Sequence, residues 1–140
     1  MAQDVKHLFV YGTLMSGQPN HRCYCADAVT VEPAVTTGRL YHLPMGFPAM
    51  IEADDRQVFG EAMTFPDLPA KLAVLDHLEG YRPDQPEHSL YVRRVRPITL
   101  LRSHHTVRAH CYIWARPLSA DAAAVEAGSW QNRRTSPGPA

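Results

Sequence analysis

At 140 residues the chain is long enough to bury a single hydrophobic core without disulfide or metal staples, and it reads as one domain. Apolar side chains make up 45% of it, yet no run approaches the roughly 20 apolar residues of a membrane-spanning helix. Fourteen basic residues balance fourteen acidic ones, so net charge gives no bias toward nucleic acid or an acidic membrane surface. The opening Met-Ala-Gln-Asp-Val-Lys-His lacks a basic region followed by an apolar stretch, which makes the cytoplasm the expected compartment. Three cysteines are an odd number, and Cys23 and Cys25 stand too close to bridge, so reduced thiols are expected.

His7 to Tyr11 is a short aromatic-rich run closed by Gly12 and predicts a buried strand. A glycine and proline loop follows to Asn20. Residues 21–34 fit no pattern. Val35 to Leu43 predicts a strand, and Pro44 to Pro48 a turn-rich segment suited to lining a pocket. Val58 to Phe65 predicts another strand, residues 67–79 a helix, and Tyr81 to Ser89 a loop with two prolines. Leu90 to Leu101 and Thr106 to Ala115 form two β-branched runs joined by a short polar segment, a hairpin signal. Ser119 to Ala127 is alanine-rich and stops at Gly128, which predicts a short helix. Residues 1–130 form the expected domain, and 131–140, rich in proline, an expected disordered tail. Several strands around one main helix, without strand–helix alternation, predict an α+β fold with a mostly antiparallel, barrel-like sheet.

Within residues 67–79 the leucines at 68, 72 and 75 mark one helical face. At about 100° per residue, position 79 falls about 20° from Leu68, inside that apolar stripe. Asp67 suits the N-cap, Pro69 the first turn, and Gly80 the left-handed residue past the end. Glu79 therefore stands at the negative end of the helix dipole with its carboxylate aimed inward, unless the last turn frays and frees it. Burial and dipole both oppose ionisation, and a residue that breaks two local rules at once marks strain or function.

Other residues could carry chemistry. Tyr11-Gly12-Thr13-Leu14 lies where a strand becomes a glycine loop, a place where backbone N–H groups can hold an anion or oxyanion, although such a tetrapeptide also serves as an ordinary turn. His21-x-Cys23-x-Cys25 offers metal-ligating side chains, but with no zinc spacing and no fourth ligand nearby. Cys111 with a histidine could imitate a cysteine hydrolase, yet it sits inside a predicted strand, where cysteine is a small hydrophobe. Residues 88–120 hold six arginines and no acid, a basic ribbon that reads as the solvent face of strands or as an anion-facing or partner surface.

The order of these elements adds a further signal. Tyr11-Gly-Thr-Leu14, Gly38-Arg-Leu-Tyr41 with Phe47-Pro-Ala49, Gly60-Glu61, Leu75-Asp-His-Leu-Glu79-Gly-Tyr81, Leu90-Tyr-Val-Arg93, Tyr112 and Gly128-Ser-Trp130 together resemble the gamma-glutamylcyclotransferase-like family. That family includes plant avirulence-induced-gene-2-like proteins and gamma-glutamylamine cyclotransferases. The resemblance covers about residues 7–130. It implies a small mixed β-barrel with flanking helices, a head-group loop at Tyr11, Gly12, Thr13 and Leu14, a catalytic acid and base at Glu79, and a substrate contact at Tyr112. It also implies release of 5-oxoproline and a free amine from a gamma-glutamyl amide, with no metal or organic cofactor. The expected partner is a small gamma-glutamyl substrate, with no nucleic acid or membrane, on a monomer or weak homodimer. A non-catalytic module binding a small ligand in the same pocket is the alternative from another class.

Overall fold

A computed structural model describes residues 5–130. Its centre is a closed barrel of five strands: β1 (His7–Val10), β2 (Thr30–Thr37), β5 (Gln57–Thr64), β6 (Tyr91–Leu100) and β7 (Thr106–Trp114). They run in the order β1-β5-β2-β6-β7, and the barrel closes where β1 meets β7. That closing pair is parallel, with His7 opposite Ala109 and Leu8 opposite His110, whereas the other barrel pairs are antiparallel. A second sheet, ordered β4-β3-β8, comprises β3 (Arg39–His42), β4 (Pro48–Ile51) and the two-residue β8 (Ala123–Ala124). Among the described residues two α-helices accompany the sheets, a single turn α1 (His21–Tyr24) and the longer α2 (Leu68–Leu78), together with a 3-10 turn at Pro86–His88. The expected α+β mixed barrel is the observed architecture.

The apolar run of β1 is continuous because both of its faces are buried. Leu8 and Val10 join Met63, Phe65 and the α2 residues Leu68, Leu72 and Leu75 in one core. Phe9 and Tyr11 belong to a second core that draws on all five barrel strands, where Ala34, Ala62, Ala109 and Cys111 leave room for the two rings. The stripe read from the leucine spacing is thus the face by which α2 packs on the barrel. Asp67 caps that helix by accepting the Ala70 amide at 3.2 Å. Its other end closes with Tyr81 N–H on the Asp76 carbonyl at 2.8 Å and Gly80 N–H on His77 at 3.2 Å. Gly80 takes the left-handed conformation this ending needs, at φ 68°.

Two expectations change. Val35 to Leu43 is two strands rather than one: β2 begins earlier, at Thr30, and β3 starts after Gly38 in the other sheet. Glu32 and Pro33 hide the first half of β2, but a proline is tolerated where β2 lacks full pairing with β6, which is limited to Ala34 and Val35. Ser119 to Ala127 is not a helix. Its backbone pairs as β8 with β3, Val125 donates to the Leu40 carbonyl at 2.8 Å, and Val125 and Trp130 are buried in the barrel-strand core. With no apolar stripe to bury, alanine propensity yields to that pairing. The hairpin is present as β6–β7, paired from Tyr91–Trp114 to Thr99–Thr106. The expectation for residues 131–140 lies outside the described residues.

Candidate active site

A cavity of about 250 Å³ opens between the end of α2, the loop after β1, the turn before β4 and the start of β6. All six residues singled out from the sequence border it: Glu79, Tyr11, Gly12, Thr13, Leu14 and Tyr112. The turn segment is there too, through Phe47 and Pro48.

The loop begins with a turn in which the Met15 amide donates to the Gly12 carbonyl at 3.0 Å. Asn20 clamps it from behind, its amide on the Thr13 carbonyl and its Nδ2 on Thr13 Oγ1, both at 3.0 Å. Ser16 N–H reaches Glu61 Oε1 at 2.8 Å, and His21 Nδ1 lies 3.0 Å from the Leu14 carbonyl. The loop is thus tied down through its carbonyls and outer residues. Among the described residues, no intramolecular hydrogen bond engages the amide N–H groups of Gly12, Thr13 and Leu14. Three adjacent donors bordering a cavity are suited to a carboxylate or oxyanion. Packing by itself favours glycine at position 12: a Cβ on it would lie 2.4 Å from Pro48 Cγ.

Glu79 is the C-cap of α2, its amide donating to the Leu75 carbonyl at 2.8 Å. Its side chain is half-buried and borders the cavity. Burial pushes the carboxyl up from its ordinary value of 4.5 to about 7. Among the described residues it has no hydrogen-bond or ion-pair partner.

The three phenols of the cavity behave differently. Tyr11 Oη donates to the Tyr112 carbonyl at 2.7 Å and accepts from the Met50 amide at 3.3 Å. Tyr91 Oη donates to the Pro48 carbonyl at 2.5 Å, and Tyr112 Oη to Asp76 Oδ1 at 2.6 Å. Burial, above all, raises the pKa of each, so all three remain protonated donors. Their hydroxyls are occupied in tying elements together, and among the described titratable groups that line the cavity Glu79 is the one without such a tie. Asp76 is itself gripped by Arg93, Nε on Oδ1 at 2.8 Å and Nη2 on Oδ2 at 3.0 Å, while Arg93 Nη1 lies 3.0 Å from His110 Nδ1.

The sequence profile of the gamma-glutamyl cyclotransferase, AIG2-like family matches residues 8–132. The chain belongs to that family. An AIG2-like protein from Mus musculus is 26% identical, with a TM-score of 0.63 over 81% of this chain and 79% of that one. YkqA from Bacillus subtilis shares the fold at 22% identity and a TM-score of 0.65; this chain is covered over 90% of its length but spans only 39% of YkqA. A gamma-glutamyl cyclotransferase structure shares it at 12% identity and a TM-score of 0.55, over 86% of this chain and 70% of that one. No curated protein matches the sequence.

Other candidate groups do not converge. Cys23 is exposed whereas Cys25 is buried, its thiol pushed up to about 11, and among the described residues no three metal-ligating side chains gather. Cys111 is fully buried, its thiol pushed up to about 12, an inert hydrophobe. Of the six arginines in the basic ribbon, Arg93 holds Asp76, Arg96 pairs with Glu52 at 3.4 Å and Arg116 holds the Glu87 carbonyl, while Arg94, Arg102 and Arg108 are exposed. The residues that local reading overlooked are Asn20, Leu90 and Tyr91. Leu90 and Tyr91 sit at the start of a predicted strand, and the Leu90-Tyr-Val-Arg93 segment of the family resemblance is the signal that could have found them.

Proposed function

We propose that this protein is a gamma-glutamyl cyclotransferase acting on a gamma-glutamyl amide. The observation that carries this reading is the unpartnered Glu79 carboxyl, with its pKa near 7, sharing one cavity with three unengaged amide donors. The amides at Gly12 to Leu14 receive the substrate carboxylate or the developing oxyanion. The substrate's own α-amine attacks its γ-carbonyl carbon, forming the ring C–N bond. Intramolecular attack benefits from a large effective molarity once the chain is held folded. Glu79 takes the proton from the attacking nitrogen and returns it to the departing amine as the old C–N bond breaks, so 5-oxoproline and a free amine leave. A single carboxyl with a pKa near neutrality suits both transfers.

Product identity tests this directly. Mass spectrometry of one reaction should find 5-oxoproline, and an N-acetylated gamma-glutamyl amide should be inert because its nucleophile is blocked. Glutamate as the primary product, or cleavage of the acetylated compound, would point to hydrolysis by water instead. Tight binding without any product would favour a binding module in the same cavity.

A further inference from the structure

We propose that the leaving amine carries an uncharged, apolar substituent, seated at the cavity mouth between Phe47 and Leu90. That seat presumes the gamma-glutamyl amide reading above and narrows it to a class of amine. Phe47 is 49% exposed and Leu90 46% exposed, and both line the cavity. Large apolar side chains left in water at the rim of a cavity favour a ligand that covers them. Both stand on fixed backbone. Phe47 ends the turn between β3 and β4, where its carbonyl accepts the Leu43 amide at 2.9 Å. Leu90 is held by its amide on the Gly80 carbonyl at 3.0 Å and by its own carbonyl accepting from Ala115 at 2.8 Å. Behind it the fully buried Ser89 ties the base of the 82–89 loop, accepting the Arg82 amide at 2.8 Å.

Charge decides the chemistry of the occupant. The glutamyl head brings an ammonium and a carboxylate, and its polar partners are the amides of the 12–14 loop and Glu79. Of the apolar lining residues, Phe47 and Leu90 are exposed and Leu78 is partly exposed, with Pro48 buried next to Phe47 in sequence. Among the described residues, no arginine, lysine or histidine lines the cavity. A leaving group with its own carboxylate would surrender hydration at this rim without a cation to replace it. An alkyl or aryl amine surrenders none and covers both exposed side chains.

The test uses the full chain with gamma-glutamyl methylamide, propylamide and pentylamide, alongside gamma-glutamylglycine and the gamma-glutamyl-lysine isopeptide. Release of 5-oxoproline gives kcat/KM and calorimetry gives Kd. Both should improve about two- to fourfold per added methylene, and the pentylamide should exceed both charged conjugates. Phe47→Ser and Leu90→Ser alter exposed positions and should flatten the rise; circular dichroism checks that they fold. A flat series in the wild type, a charged conjugate preferred over the pentylamide, or a slope unchanged in both folded variants overturns the apolar seat. If no compound yields 5-oxoproline while affinity still climbs along the series, the seat stands and the catalytic reading falls. Absence of both turnover and binding removes the two together.

Discussion

Replacing Glu79 by glutamine keeps the shape of the side chain and removes its ability to exchange a proton. Turnover, measured as 5-oxoproline release, should fall roughly 10²-fold to 10⁴-fold with folding intact; near wild-type activity would take Glu79 out of the chemistry. Stability should move the other way. The folded carboxyl titrates near 7 and the unfolded one near 4.5, so between those values the native state holds a proton that the unfolded chain has lost. Stability therefore declines as pH rises through that window, and the whole penalty is present above it. Glu79→Gln escapes the penalty, which is on the order of 2–3 kcal/mol. Its Tm should exceed wild type at pH 8 and converge with it toward pH 4.5; identical melting at pH 8 would mean that the carboxyl reaches bulk water. On the proposed mechanism, kcat/KM of the wild type should drop as pH falls through about 7 and the Glu79 carboxylate becomes protonated. The position of Glu79 was legible because helix geometry needs only the local sequence. The engagements of Tyr11 and Tyr112 were not, since their partners lie 101 and 36 residues away.

Between elements, the decisive joint is Asp76, one turn before Glu79, which binds Arg93 of β6 and Tyr112 of β7. This joint pins the last turn of α2 to the hairpin and so fixes where Glu79 stands. Asp76→Asn should cost about 2 kcal/mol, between the values for exposed and buried ion pairs. It should also lower kcat more than it raises KM, because misplacing the base affects the proton transfers first; an unchanged kcat with lowered Tm would make the joint structural alone. Arg93→Lys should not restore function, as an ammonium cannot reproduce the two-pronged grip. The loop gives a second test. Gly12→Val drives a side chain into Pro48, whose carbonyl holds Tyr91, so the melting temperature should fall together with ligand binding. Normal melting with weakened binding would instead assign Gly12 to the ligand. Helix α2 was readable because its stripe, cap and terminal glycine agree; the 119–127 segment misled because alanine propensity is weak beside a waiting strand edge.

At the scale of the whole molecule, Trp130 shows how far the end of the described chain takes part in the fold. It is 2% exposed, packs edge-on to His42 at 4.9 Å between ring centroids, and follows Ser129, which bridges to Phe59 of β5. Trp130→Ala should cost about 3–5 kcal/mol, visible as a large drop in Tm; a small drop would mean that the segment is only draped over the barrel. The sequence order of strands revealed a barrel-like sheet, but not its closure, because a parallel contact between the first strand and a late one leaves no local trace. That closure has a kinetic consequence. Strand β1 can pair with β5 once residues near 63 exist, but the contact that closes the barrel joins it to β7 across about a hundred residues of sequence and has to wait for residues near 110. The amide loop after β1 and the wall at Tyr112 meet only at that step. During refolding, helix signal should therefore return before ligand binding does, and a nascent chain released short of β7 would carry β1, paired to β5 on one side, with its other edge open and sticky.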